Sequence, residues 1–285
     1  MIVQPDHGKR IGMSVLMLRD DLETCAKTIR DLGFEGMEVH GSHLGPDMPG
    51  VTVYEAHAAA AGDLIRRHGL MVSTLNVAGD PSFDPFGGPE AFERSVAGLA
   101  THLRLAAAMG APRVLIWEGR VATAAAVPAA LRTLTDCIRQ AQERSGLADP
   151  PPVSAELHPF TFGLQHRVLP ALAAALLSVG AGICLDFCHF GVALGRDLLD
   201  WITDDVLAAI DHVHYSDTDT QTSELHFPPG EGALDLDAIG ARLATRPIAT
   251  SWDLFGWPSP RFAMAQRMDQ YAAFVTRHAA AVAGR

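Results

Sequence analysis

The chain has 285 residues, 48% of them hydrophobic, and its 33 acidic residues against 22 Lys and Arg give a formal charge of −11. That length suits a single α/β barrel with a large core. The charge argues against general affinity for nucleic acid or anionic membrane, which requires clustered basic residues.

The first ten residues, MIVQPDHGKR, contain no apolar run of the kind a secretory leader needs. The four cysteines, Cys25, Cys137, Cys184 and Cys188, include no C-x-x-C pair. They read as reduced, packed thiols, and the expectation is a cytoplasmic protein.

One unit then recurs: a short apolar run, a loop rich in Gly, Pro or His, and a helical stretch. The runs in chain order are IGMSVLM, GMEVHG, LMVSTLN, PRVLIWEG, PVSAELHP, GICLDFCH, DHVHYSD and IATSWDLFG. Helices are predicted over 20–32, 54–68, 88–109, 123–146, 164–178, 196–209, 235–245 and 262–283. Strands alternating with helices imply parallel β-α units, and this many of them imply one closed (β/α)8 barrel over 1–285. An open doubly wound sheet is the alternative, disfavoured because no G-x-G-x-x-G follows the first run. Val168 to Leu185 carries no charged residue over 18 positions. Its Pro170, Gly180 and Gly182 make it a short helix followed by a buried strand rather than a membrane span.

In such a barrel the C-terminal strand ends carry the active site. Seven of the 13 histidines, His40, His43, His158, His189, His212, His214 and His226, fall at or just after those ends. So do Glu38, Glu118, Glu156, Asp186, Asp217 and Asp253. Side chains at i and i+2 of a strand share a face, which pairs Glu156 with His158 and His212 with His214. A ring of carboxylates and imidazoles in a dry mouth needs a cation or strongly shifted pKa values. The stretch 80–90, DPSFDPFGGPE, reads as a rim loop with Phe83 or Phe86 facing a substrate, or as a plain turn. Trp117, Trp252, Phe255 and Trp257 read as a pocket wall or as core.

A Glu on the fifth strand, D-x-x-H on the sixth, H-x-H on the seventh and H-x-x-P-G-x-G after it occur in this order. The chain thereby resembles the xylose isomerase-like TIM-barrel superfamily. That group includes sugar isomerases, ketose 3-epimerases, inosose and dehydroshikimate dehydratases, and endonuclease IV. The resemblance implies one divalent metal ion held by Glu156, Asp186, His214 and Asp253, where the family usually has Glu at the last position. It makes His189 a substrate contact or further ligand. Three carboxylates and one imidazole suit Mn2+ first, with Mg2+, Co2+ or Zn2+ as alternatives. Such an ion polarises a carbonyl, and a base removes the neighbouring proton. Isomerisation, epimerisation and elimination all share that step.

Glu156, His158, His189 and Asp253 are the candidate catalytic residues. His189, His226, Glu118 and Trp117 are the candidate substrate contacts. His158 reads equally as the base or as a group that supports a ligand, while Asp217 is expected to orient His214 or the following loop. The expected substrate is a small non-phosphorylated sugar or polyol, since no phosphate loop or Arg cluster follows the last strands. The family's epimerases often carry Arg six positions after the metal His. Here that position is Thr220, which leaves room for a lyase on an oxo-sugar, oxo-glycoside or inosose. An endonuclease-like hydrolase and a non-catalytic binding barrel are the remaining readings. Glu224 and His226 resemble the endonuclease's Asp-x-His pair, so a second ion stays open. No nucleic-acid or membrane partner is expected, and a homo-oligomer is allowed.

Overall fold

The computed structural model describes residues 12–14, 21–44, 51–78, 83–222, 225–244, 246 and 248–253. Eight parallel strands close on themselves: β1 (Gly12–Ser14), β2 (Gly36–His40), β3 (Met71–Asn76), β4 (Val114–Trp117), β5 (Val153–Glu156), β6 (Gly182–Asp186), β7 (Ile210–Tyr215) and β8 (Ala249–Trp252). Closure is made by β1 against β8, where Gly12 faces Ser251 and Met13 faces Trp252. The expected barrel and all eight apolar runs are therefore present.

The helices are α1 (Leu22–Asp31), α2 (Val51–Arg67), α3 (Pro89–Met109), α4 (Val127–Ser145), α5 (Phe162–Gln165), α6 (Leu169–Leu177), α7 (Phe187–Leu194), α8 (Asp204–Ala209) and α9 (Leu236–Leu243). Local chemistry sets their ends. The Asp21 carboxylate accepts from the Thr24 N–H at 3.0 Å and starts α1. Pro89 opens α3, and Gly110, in the left-handed region at φ 79°, stops it.

Two helix expectations need correction, and one helix was not expected. The helix expected over 164–178 is split into α5 and α6, because Arg167 turns into the left-handed region at φ 53°. The one expected over 196–209 is a 3-10 segment, Gly195–Trp201, followed by α8. The sequence reading missed α7, which begins directly at the end of β6. The helix expected over 262–283 lies outside the described residues.

The lower end of the barrel is plugged by polar side chains. Asp211 accepts from Ser154 Oγ at 2.6 Å and pairs with Arg113 at 2.9 Å. Gly182 makes room for this group, since a Cβ there would collide with the Asp211 carboxylate. Above the plug, side chains of non-adjacent strands meet through the interior, as Glu38 of β2 and His214 of β7 do. All four cysteines are buried and unbridged. Among the described residues no helix is long and apolar enough to cross a membrane.

Candidate metal centre

Four strand ends deliver four ligand-bearing side chains to one point. Glu156 is the last residue of β5 and Asp186 the last of β6, while His214 lies in β7 and Asp253 directly follows β8. One potential ligand atom from each lies within 4.8 Å of all the others, and all four residues are buried. His214 Nδ1 stands 2.8 Å from Glu156 Oε1, 3.5 Å from Asp186 Oδ2 and 3.6 Å from Asp253 Oδ2. These are the four residues that the resemblance assigned to the ion.

Asp186 does two jobs through its D-x-x-H spacing. One oxygen, Oδ1, accepts from the His189 N–H at 2.9 Å and caps α7. The other, Oδ2, is buried without a hydrogen-bond partner, as is Asp253 Oδ1. Two solvent-shielded carboxylate oxygens without donors in one buried cluster leave a strong demand for positive charge.

The local electrostatics express the same demand. Burial pushes Asp253 up to about 6, with Asp186 and Glu38 adding and His226 and His214 opposing. Burial also opposes ionisation of Asp186 and Glu156. Neighbouring imidazoles outweigh it and hold both carboxyls well below the usual range, His189 and His226 acting on Asp186 and His214 and His158 on Glu156. Despite burial, Cys184, Glu38 and Glu156 hold His214 well above the ordinary histidine value. A proton on Nδ1 thus sits where a divalent cation would satisfy the same carboxylates. The donor set fits a hard, oxygen-preferring ion.

Glu38 is the residue whose role the sequence reading left undecided. Its Oε2 accepts from Thr74 Oγ1 at 2.8 Å and lies 3.0 Å from His214 Nε2, and its Oε1 accepts from Asn76 Nδ2 at 2.9 Å. With Nε2–H donated to Glu38, His214 turns Nδ1 toward the three carboxylates, and its lone pair there would serve an ion that takes the place of the Nδ1 proton. A carboxylate behind a ligating imidazole fixes its tautomer and ring orientation. His212 supports the same carboxylate at 3.4 Å and Ser251 Oγ at 3.1 Å, a packing role consistent with its burial.

Beside the four-residue cluster runs a wall of rings. His158 stacks on His189 with ring centres 3.7 Å apart, and Trp117 and Phe160 flank His158 at 4.5 and 4.8 Å. His158 Nε2 stands 3.8 Å from Glu156 Oε2, so the two do share a face. His189 Nε2 and His226 Nε2 are 3.3 Å apart. Two imidazoles at that separation share one proton: burial takes His189 down to about 3, while Asp186 and Asp253 overcome burial and raise His226.

The loop that carries His226 is folded onto Asp217. This carboxylate accepts from the backbone N–H of Gly230, Gly232 and Leu234 at 3.0, 3.0 and 3.2 Å. Of the two roles expected for Asp217, orienting the loop is the one its bonds make. The P-G-x-G spacing follows, because Gly230 has φ 86° and a Cβ at Gly232 would collide with Asp217.

Trp117 and Glu118 are neighbours and face opposite ways. Trp117 joins the ring wall, whereas Glu118 Oε1 accepts from the Gly163 N–H at 3.0 Å, beside Leu157 and Leu172. Glu118 therefore contacts the loop behind the wall, not the ligand cluster. Burial pushes it up to about 8, with Thr161 and Gly163 opposing. Against an ordinary value of 4.5, stability is full below that value and falls as pH rises toward about 8, because the unfolded chain ionises first. Glu118→Gln, neutral at every pH, should flatten that slope. Its stability should gain on wild type across this window by up to a few kcal/mol, at about 1.4 kcal/mol per unit. Urea melts of both proteins at the two ends of the window give the answer. A constant difference would mean that the buried carboxyl titrates normally.

Phe86 packs edge-on to Phe162 at 6.0 Å, its ring over Gly119. It does not face the cluster. Trp252 is fully buried against Phe34 and Tyr215 at 5.7 and 5.8 Å, so of the two readings it is core. Cys188 and Cys184 are buried beside the cluster, and burial raises both thiols, Cys184 to about 12. Glu224, Phe255 and Trp257 lie outside the described residues.

Among solved structures, AsbF from Bacillus anthracis, described as a probable 3-DHS dehydratase, superposes with a TM-score of 0.71 at 15% identity, over 91% of this chain and 97% of its own. The IOLI protein with a bound zinc atom gives 0.65 at 17% identity, over 96% and 98%. Endonuclease IV from Thermus thermophilus gives 0.61 at 18% identity, over 94% and 99%. No curated protein matches the sequence. The family model described as xylose isomerase-like TIM barrel matches residues 26–270. The chain therefore belongs to the xylose isomerase-like TIM-barrel family.

Proposed function

We propose that this chain is a divalent-metal-dependent enzyme that removes a proton next to the carbonyl of a small non-phosphorylated sugar or polyol. The observation that carries this reading is the four-residue cluster with His158 on the same face as Glu156. Glu156, Asp186, His214 and Asp253 hold the ion, Mn2+ first by the hardness of the set. When bound, the ion supplies Lewis acidity to a carbonyl and its neighbouring hydroxyl.

The remaining work falls to side chains. Glu156 or His158 takes the proton. His189 and His226 hold substrate oxygens and pass one shared proton between them. The Trp117 indole N–H, buried without a hydrogen-bond partner, donates to a further substrate oxygen. Glu118 holds the loop behind His158. The ring wall excludes water from the reacting carbon.

A second reading, a lyase or dehydratase on an oxo-sugar, oxo-glycoside or inosose, is favoured by Asp253 and Thr220. Asp253 is one methylene shorter than the family's usual Glu and lies within the ligand cluster. That leaves one side of the substrate with a free base, which suits elimination better than two-base epimerisation. The similarity to a probable dehydratase points the same way.

The test is a screen of free ketoses, inososes and 3-oxo-glycosides in D2O, read by NMR on protein of measured metal content. Deuterium should enter at the carbon beside the carbonyl, in product or in recovered substrate. Isomerised or epimerised product without label at that carbon would mean direct hydride transfer and would overturn the proton-abstraction reading. For an eliminated product, which keeps no proton from that step, the overturning result is the absence of a deuterium isotope effect with substrate deuterated at that carbon.

A further inference from the structure

A cavity of about 660 Å³ opens on the same rim, between the first turn of α3, the segment after β4 and the start of α4. Phe86, Phe92, Val121 and Ala130 give it apolar walls, and Arg120 is its one basic lining residue. Its one acid, Glu93, is engaged by Arg144 at 3.2 Å. Arg120 has no carboxylate partner among the described residues, and its guanidinium instead lies 4.3 Å from the centre of the Phe160 ring. That ring is tilted by 31° against His158, with centres 4.8 Å apart. One aromatic ring, Phe160, thus contacts both the guanidinium at the cavity and the imidazole that stands beside Glu156. Arg120 is exposed, and its guanidinium, set on an aromatic face without a carboxylate, is open to an anion from solvent.

We propose that this cavity binds the remote end of the substrate, a flat apolar group bearing a carboxylate. Arg120 takes the carboxylate, Phe86, Phe92 and Val121 cover the flat body, and the oxygen-rich end reaches past Phe160 to His158. Within the substrate class proposed above, this favours the oxo-glycosides: an oxo-sugar or cyclitol that carries an aromatic acid. Which end reacts rests on the metal-dependent reading above; occupancy of the cavity does not.

The experiment titrates the full chain with para-fluorobenzoate and, as the neutral counterpart, para-fluorobenzyl alcohol, followed by fluorine NMR. Wild type should bind the acid more tightly than the alcohol. Arg120→Gln should weaken the acid by about tenfold and leave the alcohol unchanged. Ala129→Phe, at an exposed α4 position lining the cavity, should weaken both, and Asp186→Asn should change neither. The proposal is overturned by an acid affinity indifferent to Arg120→Gln, by the absence of saturable binding, or by binding lost only in Asp186→Asn, which would put the carboxylate at the metal centre. Failure of the metal reading would show separately, as wild-type protein that holds no ion while the titration stands.

Discussion

If the proposed centre holds a divalent ion, Asp186→Asn should abolish its binding, while Glu38→Gln should only loosen it. Asp186 places Oδ2 among the ligands and caps α7 with Oδ1. The Asn variant retains a capping oxygen and so separates metal loss from helix loss, which for Ala at a cap costs about 1 kcal/mol. Glu38 acts one layer back, through His214 Nε2 at 3.0 Å. Removing such a partner lowers metal affinity by about 10- to 100-fold. Elemental analysis after dialysis, with circular dichroism to confirm folding, reads both effects. Asp186→Asn protein that keeps a full equivalent of metal would remove the centre described above.

The second large effect concerns the base. At saturating metal, His158→Gln should cut kcat by about 100- to 10,000-fold, the range for loss of a positioned general base. Asp253→Asn should cut it far less. The reason is reach: an Asp ends about 1.5 Å short of a Glu, and proton transfer needs heavy atoms within about 3 Å. With its carboxylate already drawn to the centre, Asp253 has no length left for the opposite face of the substrate. The assay uses whichever compound the D2O screen turns over. If Asp253→Asn proves the more damaging with metal still bound, Asp253 is a base and 3-epimerisation becomes the better assignment.

Strand existence and strand ends were legible because they depend on local pattern. Each apolar run is short and bounded by Gly, Pro or His, and i, i+2 parity alone pairs Glu156 with His158. The same parity separates Trp117 from Glu118, a signal the sequence contains and the initial grouping of both as substrate contacts passed over. The ligand set followed from the order of the motifs together with the family resemblance. Helix α7 was hidden because D-x-x-H reads as two ligands, when the Asp is also a cap whose partner is the third residue of the helix. The break before α6 was signalled by Pro170, which sits in the first turn of that helix and would disrupt a continuous one, while no Gly or Asn marks the left-handed turn at Arg167 itself.

What only the tertiary structure decided is the pairing across the barrel. Glu38 and His214 are 176 residues apart in sequence, and no periodicity relates them. They meet because β1 closes on β8, which sets the register that brings β2 opposite β7 through the interior. The same closure sets three carboxylates around one imidazole nitrogen. The sequence by itself determined which residue types stand at each strand end. Barrel closure determined which of them face each other, because a contact between non-adjacent strands depends on the geometry of the whole sheet rather than on any one segment.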